Sequence, residues 1–166
     1  DGIAVACENR EGISTALPVV VDELGASKVF LMVDAGIEKF NPAAKALIDR
    51  LVSISHLTVT IFEKPAGEPT VEMVDDATAA FKSSNSEVVV ALGGGSVIDT
   101  AKAARLCAQL NCTFREFQAQ TPNYPAPTVA LIAIPTSAGT GSEVSGGSVI
   151  SDPISGIKAG IANANL

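Results

Sequence analysis

Glu87-Val88-Val89-Val90-Ala91-Leu92-Gly93-Gly94-Gly95-Ser96-Val97-Ile98-Asp99-Thr100-Ala101-Lys102 reads as a buried strand, a glycine turn and a helix. Val88 to Leu92 is a short apolar run rich in β-branched residues, as a strand covered on both faces requires. Gly93, Gly94 and Gly95 strip the turn of side chains, so another molecule can approach the backbone closely. Ser96 is the expected N-cap, and Ala101 to Leu106 are good helix formers behind it. Such a turn aims free amides and the positive end of a helix at one point, which suits a phosphate. A valine at Gly95 is expected to fill the room that phosphate needs. Two familiar phosphate signatures are absent. Ile98 stands where G-x-G-x-x-G needs its third glycine, and no Gly-Lys-Ser/Thr follows for a P-loop. The stretch alone therefore leaves a plain tight turn open.

A second stretch decides between these readings. Ile134-Pro135-Thr136-Ser137-Ala138-Gly139-Thr140-Gly141-Ser142-Glu143-Val144-Ser145 follows another apolar run, Val129 to Ile134. Its hydroxyls and glycine amides can donate to phosphate and ribose oxygens from the carboxyl end of a strand. One such loop is usually an ordinary polar surface loop. Two of them behind two buried strands point to a nucleotide.

The segments GGGSVIDTAK (93–102) and IPTSAGTGSEVS (134–145) closely resemble the iron-containing, metal-dependent alcohol dehydrogenase family. VDAGI (33–37) and PAGEPT (65–70) extend the likeness, which runs from about Lys28 onward. The resemblance implies an N-terminal NAD(P)-binding domain over 1–166: α/β, a Rossmann-like parallel sheet covered by helices, with an added β-hairpin, as in dehydroquinate synthase. It implies cofactor contacts at Asp34, Gly94, Gly95, Ser96, Asp99, Thr136, Ser137, Thr140, Ser145 and Lys158. It also implies a C-terminal helical domain, outside this chain, where one aspartate and three histidines hold Fe²⁺ or Zn²⁺. With His56 as its one histidine, this chain is expected to hold the dinucleotide and not to oxidise alcohols by itself. Two alternatives stay open: a glycerol dehydrogenase or dehydroquinate synthase relative, and a non-catalytic nucleotide-binding or subunit-interaction module.

Composition agrees with one domain of this kind. The chain has 166 residues, 47% of them hydrophobic and 17% charged, with a net charge of −7. The low charge suggests a sizeable core and an apolar face meant for another domain, and a homo-oligomer is expected. The negative sign argues against nucleic acid or an anionic membrane as a partner. No apolar run reaches the ~20 residues of a membrane helix, and no secretory apolar region opens the chain. Cys7, Cys107 and Cys112 lack zinc-site spacing and read as small apolar residues in a reducing compartment, the cytoplasm.

The rest of the chain alternates strand and helix, with apolar runs near residues 28, 57, 87 and 129, which indicates a parallel sheet. Ile3–Cys7 reads as a short strand, Asn9–Gly12 as a turn and Ser14–Leu24 as a helix closed by Gly25. Lys28–Val33 is a strand ending at Asp34. That carboxylate can accept the two hydroxyls of an adenosine ribose and repel a 2′-phosphate, or it can simply begin the turn Asp34-Ala35-Gly36. The resemblance implies NAD, with NADP as the alternative. Asn41-Pro42 caps a helix to about Ser53, and lone His56 reads as a surface or packing residue before the strand Leu57–Phe62. Glu68 replaces an asparagine the family carries at the mouth of the cofactor cleft. Thr70 opens a helix over 71–81, and 111–127 is expected to be a long loop. Gly146–Ser151 and Gly156–Ile161 form a hairpin around Asp152-Pro153-Ile154-Ser155. By itself Lys158 in its second arm is an ordinary exposed lysine; the resemblance implies a contact with the nicotinamide ribose.

Overall fold

The computed structural model describes residues 13–119 and 125–162; the expected strand Ile3–Cys7 and the turn Asn9–Gly12 lie outside them. Helix α1 (Ile13–Glu23) closes at Gly25, whose φ of +68° lets its amide reach the Asp22 carbonyl while Ala26 reaches Val21. Those paired reversed bonds are how a glycine ends a helix. Strand β1 (Lys28–Asp34) follows, then a one-turn helix α2 (Ile37–Phe40) directly after the expected turn Asp34-Ala35-Gly36. Helix α3 (Pro42–Val52) begins as expected, with Asn41 Oδ1 accepting from the Ala44 amide at 3.0 Å. Strand β2 (Thr58–Lys64) leads to helix α4 (Val71–Ser84), capped by Thr70 Oγ1 and running one turn past the expected end to Asn85 at φ 50°.

Strand β3 (Val88–Gly93) is buried along its whole length and feeds helix α5 (Gly95–Leu110). The N-cap is Gly94, not Ser96: the Gly94 carbonyl takes the amides of Val97 and Ile98, so Ser96 already sits in the first turn. At the other end of α5, Asn111 adopts φ 53°, its amide meets the Ala108 carbonyl, and Cys112 donates to Cys107. Cys107 and Cys112 are thus the two residues whose apolar side chains close this kind of cap, and burial pushes both thiols up.

The expected long loop holds a further helix, α6 (Phe114–Ala119). Its start is a reciprocal cap: Thr113 N donates to Glu116 Oε2 at 2.8 Å and Glu116 N to Thr113 Oγ1 at 3.2 Å. Burial of Phe114 and Phe117 holds it in place. Strand β4 (Ala130–Pro135) precedes the glycine- and hydroxyl-rich loop, and the hairpin β5 (Gly147–Asp152) and β6 (Ile157–Ala162) ends the described chain.

The first four strands form a parallel sheet in the order β2-β1-β3-β4, and the hairpin is a separate antiparallel pair. Alternation along β1 and β3 divides the core into two layers. Phe30, Met32, Val89 and Ala91 face α4, α5 and α6, while Val29, Leu31, Val33, Val88, Val90 and Leu92 face α1 and α3. The connection from β1 therefore leaves over one face of the sheet and the connection from β3 over the other. The carboxyl ends of β1 and β3 flank the point where the winding reverses, the place where open α/β sheets receive ligands. No described helix is long and apolar enough to cross a membrane.

Candidate functional site

At the end of β1, Asp34 Oδ2 accepts from the Gly94 amide at 3.2 Å. The neighbouring glycine permits this approach: a Cβ on Gly93 would lie 2.6 Å from Val97 Cγ2 and 2.9 Å from Asp34 Oδ2. The second loop closes from the other side, with Thr136 N donating to the Gly93 carbonyl at 2.9 Å. A Cβ on Gly95 would meet Ser142 Oγ at 2.9 Å and Thr140 Cβ at 3.2 Å, whereas one on Gly94 would have only ordinary contact with Ser137 Oγ at 3.6 Å. The two stretches singled out in the sequence thus touch. The crowding at Gly95 comes from the second loop.

Beyond the first turn of α5 lies a cleft of about 340 Å³, within the usual range for ligand sites. It is lined by Ser96 and Asp99 of α5, by Glu68 of the turn before α4, and by Val149, Ser151 and Lys158 of the hairpin. Asp99 is buried. Its Oδ2 accepts from the Val149 amide at 3.0 Å, its backbone carbonyl from Ser148 Oγ at 2.9 Å, and its Oδ1 has no hydrogen-bond partner among the described residues. A buried carboxylate oxygen left without a donor is a costly feature.

Lys102, one turn further along α5, is also buried, and its ammonium donates to the Ser145 carbonyl at 2.5 Å and the Gly147 carbonyl at 2.9 Å. Burial lowers its pKa, and Asp99 nearby opposes that shift. Asp99 and Lys102 together hold the entry to the hairpin, which the main sheet does not pair. On the far side, the Ser151 amide donates to the Pro69 carbonyl at 2.8 Å and Lys158 Nζ to Glu68 Oε1 at 2.5 Å.

The structure gathers Asp34, Gly94, Gly95, Ser96, Ser137 and Thr140 around the ends of β1 and β3, and Asp99 and Lys158 in the adjoining cleft. Thr136 serves the turn through its amide, and Ser145 faces Lys102, its hydroxyl 3.5 Å from the ammonium. As a helix former Lys102 draws no notice in the sequence; its place among Ala101, Ala103 and Ala104 is the available signal. Among the described residues no three His, Cys, Asp or Glu side chains gather as a metal site requires. His56 lies on the surface, its Nε2 2.9 Å from Asp22 Oδ1.

Two motif-bearing loops meeting at the switch point match what is found by comparison. The pattern of the family described as "Iron-containing alcohol dehydrogenase" matches residues 8–166. This chain belongs to the iron-containing alcohol dehydrogenase family. Among curated relatives, it is 36% identical over 146 residues to a probable alcohol dehydrogenase, EutG, of Salmonella typhimurium, covering 86% of this chain and 35% of that protein. It is 30% identical over 144 residues to the NAD-dependent methanol dehydrogenase of Bacillus methanolicus, covering 87% and 37%. Its fold superposes with a TM-score of 0.85 on sulfoacetaldehyde reductase from Bifidobacterium kashiwanohense, solved in complex with NAD⁺, at 27% identity over 99% of this chain and 43% of that one. The chain spans about a third of the length of the curated relatives. The Rossmann-like sheet with its added hairpin, expected from the motifs, is the observed fold of this iron-containing alcohol dehydrogenase segment.

Proposed function

We propose that this chain holds the nicotinamide dinucleotide of a metal-dependent alcohol dehydrogenase, a protein that moves hydride between NAD(H) and a small alcohol or aldehyde. The observation that carries this reading is the meeting of Asp34 with the Gly93–Gly95 turn at the switch point. There the Asp34 carboxylate accepts the adenosine ribose hydroxyls and disfavours a 2′-phosphate. The first-turn amides of Gly95 and Ser96, which no helical carbonyl can take, receive the pyrophosphate, and the bare Cα of Gly94 leaves it room. The other nucleotide continues over the start of α5 into the cleft. In that cleft the nicotinamide lies against Asp99, and Lys158 lies at the ribose. NAD⁺ supplies the hydride acceptor; the chain's own residues bind it, orient its ring and limit water on one side. Thr136, Ser137, Thr140 and Ser145 belong to the loop that lines or supports this path.

The metal, Fe²⁺ or Zn²⁺, is assigned to a helical part of the longer protein. We also assign the protein to the cytoplasm and to a homo-oligomer. The free, buried Cys107 and the exposed apolar side chains Phe40, Val144 and Ile154 support these assignments. Titrating NAD⁺ into the chain in a calorimeter tests the binding reading: saturable one-site binding is expected, and no heat beyond dilution would defeat it.

A further inference from the structure

We propose that Glu68 balances the charge of Lys158 in the cleft, so that the lysine does not turn the cleft against the oxidised, cationic nicotinamide. This rests on the reading that the nicotinamide end enters the Asp99 cleft. Glu68 and Lys158 lie 90 positions apart in sequence, and both line the cleft, Lys158 Nζ donating to Glu68 Oε1 at 2.5 Å. The second carboxylate oxygen accepts from Ser151 Oγ at 3.3 Å.

The placement is built from both sides. Lys64, a fully buried lysine, donates through its ammonium to the Pro65 and Gly67 carbonyls, each at 2.8 Å, and so fixes the turn that carries Glu68. The hairpin is fixed in turn by the Ser151 amide on the Pro69 carbonyl at 2.8 Å. Hydrogen bonding to Lys158 holds the Glu68 carboxyl below its ordinary pKa, so it is ionised at neutral pH. Asp99, which also lines the cleft, has Lys102 near it. Each carboxylate of the cleft therefore has its own ammonium, and Lys158 does not stand as an unbalanced positive charge.

The two oxidation states of the cofactor differ at the ring by one positive charge. A charge in the cleft consequently acts on the ratio of their affinities, whereas loss of packing or of folded protein scales both alike. An unbalanced Lys158 would repel the cationic ring and favour NADH. Glu68 cancels that repulsion.

The experiment titrates NAD⁺ and NADH separately into the full chain and into Glu68→Gln, Lys158→Gln and the double variant, at low ionic strength. Both side chains are more than half exposed, so the variants should fold, and thermal unfolding checks that they do. Glu68→Gln should shift the NAD⁺/NADH affinity ratio about fivefold toward NADH, on the Coulomb scale of a partly hydrated site. Lys158→Gln should shift it by a similar factor toward NAD⁺, the double variant should return near the parent, and added salt should shrink all three shifts. If the variants change both affinities by one common factor, the pair merely tethers the loop and the inference falls, while the nucleotide reading stands. If the parent chain binds neither cofactor, both readings fall together.

Discussion

The Gly94 amide donates to Asp34 Oδ2 at 3.2 Å, joining residues 60 positions apart at the carboxyl ends of two neighbouring strands. The bond fixes the direction of the carboxylate and ties the glycine turn to the end of β1. In the proposed binding mode, a nucleotide would meet a carboxylate and a glycine turn already set against each other, at little ordering cost.

Asp34→Gly should move cofactor preference toward NADP. It removes the charge that opposes a 2′-phosphate and frees the Gly94 amide to donate to it. The NADP/NAD affinity ratio measured by calorimetry should rise about tenfold, a change of ~1.4 kcal/mol. An unchanged ratio would reduce Asp34 to a turn residue.

Gly94→Ala and Gly95→Ala should separate binding from folding. The Gly94 backbone, at φ −75° and ψ −178°, accepts any residue, and its new methyl would meet Ser137 Oγ at an ordinary 3.6 Å. That variant should unfold within ~0.5 kcal/mol of the parent yet bind NAD⁺ at least ~10-fold more weakly. Gly95→Ala puts a methyl 2.9 Å from Ser142 Oγ and should cost about 1–3 kcal/mol of stability as the second loop is pushed away. Equal melting temperatures for the two variants would contradict the assignment.

Lys102→Met should loosen the hairpin. The substitution keeps the stem but leaves the Ser145 and Gly147 carbonyls without their charged donor. A loss of about 2–3 kcal/mol is expected in urea unfolding, with faster amide exchange in β5 and β6 than in the main sheet. Uniform exchange across both sheets would show that the hairpin does not depend on this lysine.

Acid should weaken the tie between the hairpin turn and α4. Arg115 Nη2 contacts Asp152 Oδ1 and Glu72 Oε1, each at 2.9 Å, and it draws the Asp152 carboxyl from its ordinary 3.8 down to about 2. A carboxyl whose folded pKa is depressed stabilises the fold above its unfolded pKa and loses that contribution as pH falls toward the folded value. The window is therefore from just above pH 4 down to about 2. The melting temperature of the parent should fall more steeply across it than that of Asp152→Asn; parallel curves would remove Asp152 from the account.

Most elements were legible in the sequence because their causes are local. The β-branched run Val88–Leu92, the Asn41-Pro42 cap, the Thr70 cap and the turn Asp152–Ser155 each act within a few residues, and the structure keeps them. Helix α6 had a local cause too, the Thr113/Glu116 cap, hidden by the prolines and aromatics around it. Ser96 was misassigned as N-cap because side-chain preference ranks it above glycine, while pairing of Gly93 with Pro135 carries the strand far enough that Gly94 becomes the cap.

The motifs alone determined that a glycine turn and a helix follow the central strand. Only the tertiary structure decided what stands around them: Asp34 against Gly94, Lys102 beneath the hairpin, and Glu68 against Lys158. Those contacts join segments far apart in the chain, so they depend on strand order and on which face each crossover covers. No periodicity or cap within a short window encodes either one.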